Sequence, residues 1–445
     1  MFESLVEEKV NEMKICVIGC GFVGLSTGAV LSHLNHEIHL VESDNKRLSM
    51  IRNGKPPFFE PGLERMLSEG IRKNRIKMGD DIGKATKVTD FIFIAVQTPP
   101  GKDGSLDLKF LRNCVNEIGK QDINEKTVVI KSTVPPGTTR RVVIPILEEA
   151  SGLKAGKDFG IAMNPEFLQE GRAIEDSLHP SRIVVGGFTA RDGVGVMKIF
   201  RKIDAPKMIV DINTAELIKL ISNCFLSTKI SYSNEIAEMC EYLDADVKDV
   251  MRGVGLDPRI GASFLNAGLG FGGSCLPKDL NSTINVAKSL RLNPRLLLAV
   301  KEINDNQPSR AIEMLEEELK NLSGKRIAIL GLAFKAGVDD VRDSRAIPLA
   351  MALLDKGAQV IGYDPKAQNA FQERLPMIKC ASSLKEALKN ADGCIIQTEE
   401  KEFSDLKKEA IDGMRKKIVI DGRRVLEPTK ALKYGIRLRA IGRQK

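Results

Sequence analysis

The sequence predicts an α/β protein made of two doubly wound domains joined by a long central helix. Three observations carry this expectation. A short apolar strand near the start of the chain runs into a glycine-rich turn and then a helix. A stretch without Gly or Pro lies between Pro206 and Gly253 and repeats apolar residues at helical spacing. From Lys325 onward, apolar strands again alternate with helical segments. With 445 residues the chain exceeds one typical core, and roughly two to four domains are expected.

Composition narrows the classes of function. Apolar residues make up 42% and charged residues 28%, the balance of a water-soluble globular protein. No run of apolar residues is long enough to cross a bilayer. The stretch Met1-Phe2-Glu3-Ser4-Leu5-Val6-Glu7-Glu8-Lys9 carries acids where a signal peptide needs a basic segment, so a cytoplasmic location is expected. The net charge of +8 arises from 67 basic and 59 acidic residues, and there are four Tyr and no Trp. That mild excess suits an anionic small molecule better than nucleic acid, which would call for a basic stripe with aromatic partners. The eight cysteines are scattered and the histidines number four, a pattern with neither a disulfide framework nor a metal-ligand cluster. No metal is expected.

In chain order, Lys14-Ile15-Cys16-Val17-Ile18 is a strand, and Gly19-Cys20-Gly21-Phe22-Val23-Gly24 follows it with a helical pattern behind. Strand, G-x-G-x-x-G and helix together form the dinucleotide signature: the glycines allow a tight turn, close approach of a pyrophosphate and close helix packing. A second strand, Glu37–Val41, ends at Glu42, where a carboxylate would bind ribose hydroxyls and repel a 2′-phosphate, so NAD is expected over NADP. Arg47 stands five residues on, and because an arginine there can accept a 2′-phosphate, NADP stays open as the alternative. Further strands are expected at Phe91–Val96 and Val128–Lys131, each entering a Pro-Gly loop that carries Thr98 or Thr133. A strand at Ile161–Met163 enters a polar loop in which Glu166 and Glu170 are candidates to cap a helix.

From about Asn213 to Asp246 the pattern predicts a single helix, capped by Asn213 with Glu216 and carrying apolar residues at Leu217, Ile221, Phe225, Tyr232, Ile236, Met239 and Leu243. Such a helix should join two domains and offer a dimer face. Lys219 and Asn223 are spaced i, i+4, so they project from one side of it. Next comes Gly270-Phe271-Gly272-Gly273-Ser274-Cys275-Leu276-Pro277-Lys278-Asp279. Its glycines remove side chains before Cys275, a candidate nucleophile, and Lys278 and Asp279 supply a cation and a carboxylate one turn later. A tight turn around a small buried cysteine is the bland alternative. A helical stretch should then run to about Asn306.

The second α/β pattern starts at Lys325–Gly331, without the full glycine fingerprint. Its later strands are Val360–Tyr363, Gly393–Gln397 and Lys417–Ile420. Lys335, Arg342 and Arg345 follow the strand at Lys325–Gly331, and three cations there would suit a diphosphate. The expected division is a dinucleotide-binding Rossmann-like domain over 1–212, a central helical domain with Cys275 over 213–310, and a second Rossmann-like domain over 311–445.

From about Met13 to its end, the chain resembles the UDP-glucose/GDP-mannose dehydrogenase family, nearest to its UDP-glucose-oxidising members. The resemblance rests on Gly19–Gly24, Val96-Gln97-Thr98-Pro99, Lys131-Ser132-Thr133, Asn164-Pro165-Glu166-Phe167-Leu168, Lys219 with Asn223, Asp257–Gly261, Gly270–Asp279 and Phe334-Lys335 with Asp340-Val341-Arg342. It implies an NAD-dependent, two-step oxidation of a sugar-nucleotide C6 alcohol to a carboxylate. By that likeness Cys275 attacks the aldehyde, Lys219 and Asn223 stabilise the oxyanion, and Asp279, with Thr133 and Glu166, holds and deprotonates water. Cofactor positions carried over are Gly19, Gly21, Val23, Gly24, Glu42, Arg47, Thr98, Thr133, Glu170, Lys278 and Arg342. Substrate positions are Glu166, Phe167, Leu168, Gln169 and Glu170, then Lys219 and Asn223. The remainder of that set is Phe264, Leu265, Asn266, Ala267 and Gly268, with Gly272 and Lys335. Arg259 would reach the sugar of a partner subunit, which implies a homodimer. An N-acetylated UDP-hexosamine or GDP-mannose as substrate, and a non-catalytic sugar-nucleotide sensor, stay open as alternatives.

Overall fold

The computed structural model describes residues 12–101 and 103–443. The acidic stretch Met1–Lys9 lies outside them. The chain divides into two compact units, 1–221 and 222–445.

The first unit is built on an eight-stranded sheet of β1 (Lys14–Ile18), β2 (Glu37–Val41), β3 (Ile76–Gly79), β4 (Phe91–Ile94), β5 (Thr127–Ile130), β6 (Gly160–Met163), β7 (Ile183–Gly187) and β8 (Lys207–Asp211), in the order β3-β2-β1-β4-β5-β6-β7-β8. All neighbours are parallel except β6 and β7. Ile15 and Val17 enter one hydrophobic core and Cys16 and Ile18 another, so β1 is covered on both faces. That is why it reads as an unbroken apolar run. The order reverses between β1 and β4, the switch point where doubly wound sheets bind ligands beyond their carboxyl ends.

In the second unit β9 (Arg326–Leu330), β10 (Gln359–Tyr363), β11 (Lys379–Cys380), β12 (Gly393–Ile396), β13 (Ile418–Asp421) and β14 (Arg437–Ala440) form one sheet in the order β11-β10-β9-β12-β13-β14. Its pairs are all parallel. Again the central strand alternates between two cores, with Ile327 and Ile329 on one face and Ala328 and Leu330 on the other.

The long helix spans Ile212–Tyr242, and the boundary between the units falls inside it. Several expectations need correction. The cap at its start is Asp211, which accepts from the Thr214 N–H at 3.1 Å. Glu216 is instead fully buried and accepts from the N–H groups of Gly137 and Thr139. The helix stops before Asp246 because Asp244 takes a positive φ and Asp246 caps the next helix, Val247–Gly255, accepting from the Lys248 N–H at 2.8 Å. Strand β4 ends before Val96: the Lys131 and Ser132 N–H groups both turn onto the Ile94 carbonyl. The helix expected to end near Asn306 spans Arg295–Leu319, passing through the buried Pro308.

Candidate active site

The turn after β1 is dictated by its glycines. Gly19 has φ +93°, and a Cβ there would lie 2.8 Å from the Ala95 carbonyl oxygen. At Gly24 an added Cβ would lie 1.9 Å from the Gly19 oxygen, whereas at Gly21 it would meet nothing within 4 Å. Two glycines therefore fold the turn, and the third leaves open space at the head of helix Phe22–His33. That helix has neither a capping side chain nor an acid in its first turn, so its N-terminal N–H groups suit an anion. Val23 is half-buried beside Gly24. Glu42 is buried and accepts from the Cys20 N–H at 3.1 Å and the Asp44 N–H at 2.9 Å, one on each oxygen. A carboxylate oxygen holds two lone pairs, so this orientation leaves acceptor capacity for ribose hydroxyls. These residues fit NAD. Arg47 is exposed and lies 3.9 Å from Asp44. Thr98 is buried and donates to the Thr133 carbonyl at 2.7 Å, tying the loops after β4 and β5 together.

The same unit holds a buried polar cluster. Lys219, near the start of the long helix, pairs with Glu166 at 2.8 Å, and both side chains are almost fully buried. Burial alone would raise the Glu166 carboxyl, but the Lys219 charge and hydrogen bond and the Leu168 N–H at 2.7 Å hold it below the usual carboxylate range. Lys131 donates to Asn164 Oδ1 at 2.9 Å, and Asn164 Nδ2 donates to the Val184 carbonyl at 2.9 Å. Phe167 carries two cations over its ring, Arg182 at 3.8 Å and Lys219 at 5.8 Å from the ring centre. Leu168 is half-buried, Gln169 exposed and Glu170 half-buried. The entry of helix Ala173–Leu178 is bound by Glu60, which accepts from Gly171 and Ala173, each at 2.8 Å, while Glu166 is turned to Lys219 and the Leu168 N–H.

In the second unit Cys275 is exposed and stands at the N-terminus of helix Leu276–Ser289, the positive end of the helix dipole. The buried-cysteine alternative therefore falls. Asp279, one turn on, is 1% exposed; it accepts from Asn223 Nδ2 at 2.6 Å and pairs with Lys278. The turn before Cys275 is pinned by buried Asn304, which accepts from the Phe271 N–H at 2.7 Å and donates to its carbonyl at 3.2 Å. Gly272 is required by contact, since a Cβ would lie 2.2 Å from the Asp343 oxygen. In the preceding segment Phe264 has φ +65°, Leu265 and Ala267 are buried, and Asn266 is exposed. The Gly268 N–H donates to buried Asn234 at 2.7 Å. Arg259 is exposed and forms a two-pronged pair with Asp257. The three cations after β9 are not equivalent. Arg345 is turned inward toward Asp305 at 3.6 Å and the Asp343 carbonyl, Arg342 is clasped by Asp340, and Lys335 lies over Phe334 at 5.6 Å.

An exposed thiol at a helix N-terminus, with a buried carboxylate set by an amide and an ammonium one turn later, can form and hydrolyse a covalent acyl intermediate. The sequence reading passed over Glu60, Asn234 and Asn304 as supports, and took Lys131 and Asn164 as motif letters only. Glu60 lies in a loop with no periodicity to mark it as buried, while Asn234 and Asn304 lie on helices, where an amide reads as a solvent-facing residue.

The chain matches three models of the UDP-glucose/GDP-mannose dehydrogenase family: the NAD binding domain over residues 13–204, the central domain over 213–306 and the UDP binding domain over 328–428. It is 42% identical to a UDP-glucose 6-dehydrogenase of Haloferax volcanii over 430 residues, covering 95% of this chain and 99% of that protein. A solved UDP-glucose dehydrogenase from Pyrobaculum islandicum superposes with a TM-score of 0.89 at 37% identity, covering 94% of this chain and 96% of the other. A UDP-D-ManNAc dehydrogenase from Pyrococcus horikoshii superposes with a TM-score of 0.87 at 28% identity, covering 97% and 99%.

Proposed function

Because the chain belongs to the UDP-glucose/GDP-mannose dehydrogenase family, we propose that it oxidises C6 of UDP-glucose to the carboxylate of UDP-glucuronate in two NAD-dependent steps. The observation that carries the reading is the exposed Cys275 at a helix N-terminus, one turn from a buried Asp279 held by Asn223 and Lys278. A single-step alcohol dehydrogenase needs no such thiol.

NAD, when bound, supplies the hydride acceptor for both oxidations. In this reading, 1–212 binds NAD through the turn at Gly21 and the Glu42 carboxylate, 213–310 carries the nucleophile, and 311–445 binds the UDP part. The Cys275 sulfur adds to the aldehyde carbon, and the carbonyl oxygen becomes an alkoxide. Lys219 and Asn223, one turn apart on the long helix, stabilise that charge; donors fixed in advance act strongly where water is excluded. The oxidised adduct is a thioester. Asp279, with Thr133 and Glu166, takes a proton from water as its oxygen attacks the acyl carbon; the C–S bond then breaks with its electron pair on sulfur, releasing the acid and a thiolate that recovers the proton from Asp279.

Assembly as a homodimer is part of the same proposal. The residues read as the apolar stripe of the long helix are largely outside: Leu217, Ile221, Phe225, Tyr232, Met239 and Leu243 are all exposed, Phe225 by 63%. The opposite face buries Glu216, Lys219, Asn223, Ser227, Ser231 and Asn234. A helix with its apolar side outward needs a cover, and a second copy would supply it and bring the exposed Arg259 to its partner. Phe225→Glu should convert the dimer to a monomer in light scattering; an unchanged mass would reject this face. No helix among the described residues is long and apolar enough to cross a membrane, and a cytoplasmic enzyme supplying uronic-acid precursors for polysaccharides is the setting proposed.

A UDP-N-acetylhexosamine is the second reading, favoured by the Pyrococcus horikoshii UDP-D-ManNAc dehydrogenase. NADH absorbance with a panel of sugar nucleotides decides between them. Two NADH per UDP-glucose are expected; one NADH, or faster turnover of an N-acetylated sugar, would overturn the assignment.

A further inference from the structure

Two lysines, not one, are buried around the loop that carries Glu166. Lys131 follows β5, and its backbone N–H is fixed by the Ile94 carbonyl at 2.9 Å. Its side chain is 7% exposed and reaches under the loop after β6, where the ammonium donates to Asn164 Oδ1 at 2.9 Å and Asn164 O at 3.4 Å. Asn164 is anchored on the far side by Val184, so the ammonium closes a chain from β5 through the loop to β7. Only two residues later the same loop presents Glu166, which pairs with Lys219. Burying a second cation beside a single carboxylate is costly, and packing does not require it: a methionine would fill the volume.

We propose that Lys131 is a positioning residue for the Glu166–Lys219 pair, its ammonium locking Asn164 and acting as a second buried cation that keeps Glu166 ionised. The claim that this shapes turnover rests on the oxidation proposed above. The electrostatics agree in direction. Burial is the main cause bringing the Lys131 ammonium down to about 8, Lys219 lowers it further, Glu166 opposes them, and Lys131 in turn lowers Glu166. Lys131 and Glu166 also line a cavity of about 240 Å³ behind the loop, whose other titratable groups are Asp176, His179 and Arg182. Asp176 accepts from the Gln169 N–H and pairs with Arg172 at 3.7 Å, while Arg182 stacks on Phe167.

The test compares Lys131→Met with Lys131→Arg in the full chain. Loss of the charge should move the acid limb of the kcat/KM profile to higher pH, by less than loss of Lys219 would, because Lys219 is the larger influence on Glu166. Lys131→Arg should keep the limb in place. A purely structural role would lower the amplitude and leave the limb where it is, and that result overturns the proposal. Melting temperature gives a readout independent of turnover. A lysine whose folded-state value is depressed is charged at a cost below that value, so stability rises with pH between the folded and unfolded values. The wild type should therefore gain melting temperature relative to Lys131→Met between pH 8 and 10; a constant gap overturns the proposal. If the wild type makes no NADH from any sugar nucleotide, the proposed oxidation falls and the melting comparison alone decides. Should Lys131→Met not fold, Lys131→Gln takes its place, and a shifted limb in Lys131→Arg counts equally against the claim.

Discussion

The two sheets repeat one design up to the end of their second strands, and there they part. Strands β1 and β9 both turn on a glycine with a positive φ, Gly19 and Gly331, and β2 and β10 both lead to an acid, Glu42 and Asp364. In the first unit Glu42 accepts from two backbone N–H groups, and a helix with an uncapped N-terminus follows the turn directly. In the second unit Asp364 accepts from four, those of Leu332, Ala333, Lys366 and Ala367, at 2.8 to 3.1 Å. No helix follows there until Ala346. One carboxylate thus keeps lone pairs for a ligand, while the other is spent closing its own turn. The same strand order yields a dinucleotide site or a structural knot according to whether the acid is saturated.

Substitution can break that comparison. Asp364→Ala should be the larger lesion, because four donors, three of them buried, lose their acceptor together; we expect a loss of about 4 kcal/mol in urea unfolding. A loss below about 1 kcal/mol would show that the turn closes without it. Glu42→Gln should have a smaller effect on folding and act on the cofactor instead, reducing the preference for NAD over NADP by about tenfold as the repulsion of a 2′-phosphate is removed. An unchanged ratio would mean that Glu42 does not face the ribose.

The glycine turn, the Cys275 loop and strands β1, β2, β4, β5, β6, β9, β10, β12 and β13 were legible because each has a local signature, whereas β3, β7, β8, β11 and β14 have no counterpart among the strands expected from the sequence. A buried parallel strand is an apolar run, and a tight turn needs glycine. The long helix was legible as a helix but not in its orientation. Periodicity marks an apolar stripe at Leu217, Ile221 and Phe225 without saying that Glu216, Lys219 and Asn223 are the side turned inward. Its cap was misassigned because Asn213 and Asp211 are both good capping types, and only the fold shows that Glu216 belongs to Gly137 and Thr139. The three second-unit cations read together from the sequence have partners that spacing does not reveal, Asp305 opposite Arg345 and Asp340 beside Arg342. Long-range partners are set by topology, and spacing along the chain does not encode them.

The central claim is that Cys275 forms the covalent bond through which the aldehyde becomes an acid. Cys275→Ala removes the sulfur and leaves Lys219, Asn223 and the NAD turn intact, so the first oxidation stays chemically possible while thioester formation does not. Steady-state formation of the uronic acid by this variant, measured with UDP-glucose and NAD, is the direct test. The account predicts a fall of about a thousandfold or more. Acid formation within about tenfold of wild type, a barrier change of only about 1.4 kcal/mol, would contradict covalent catalysis at Cys275.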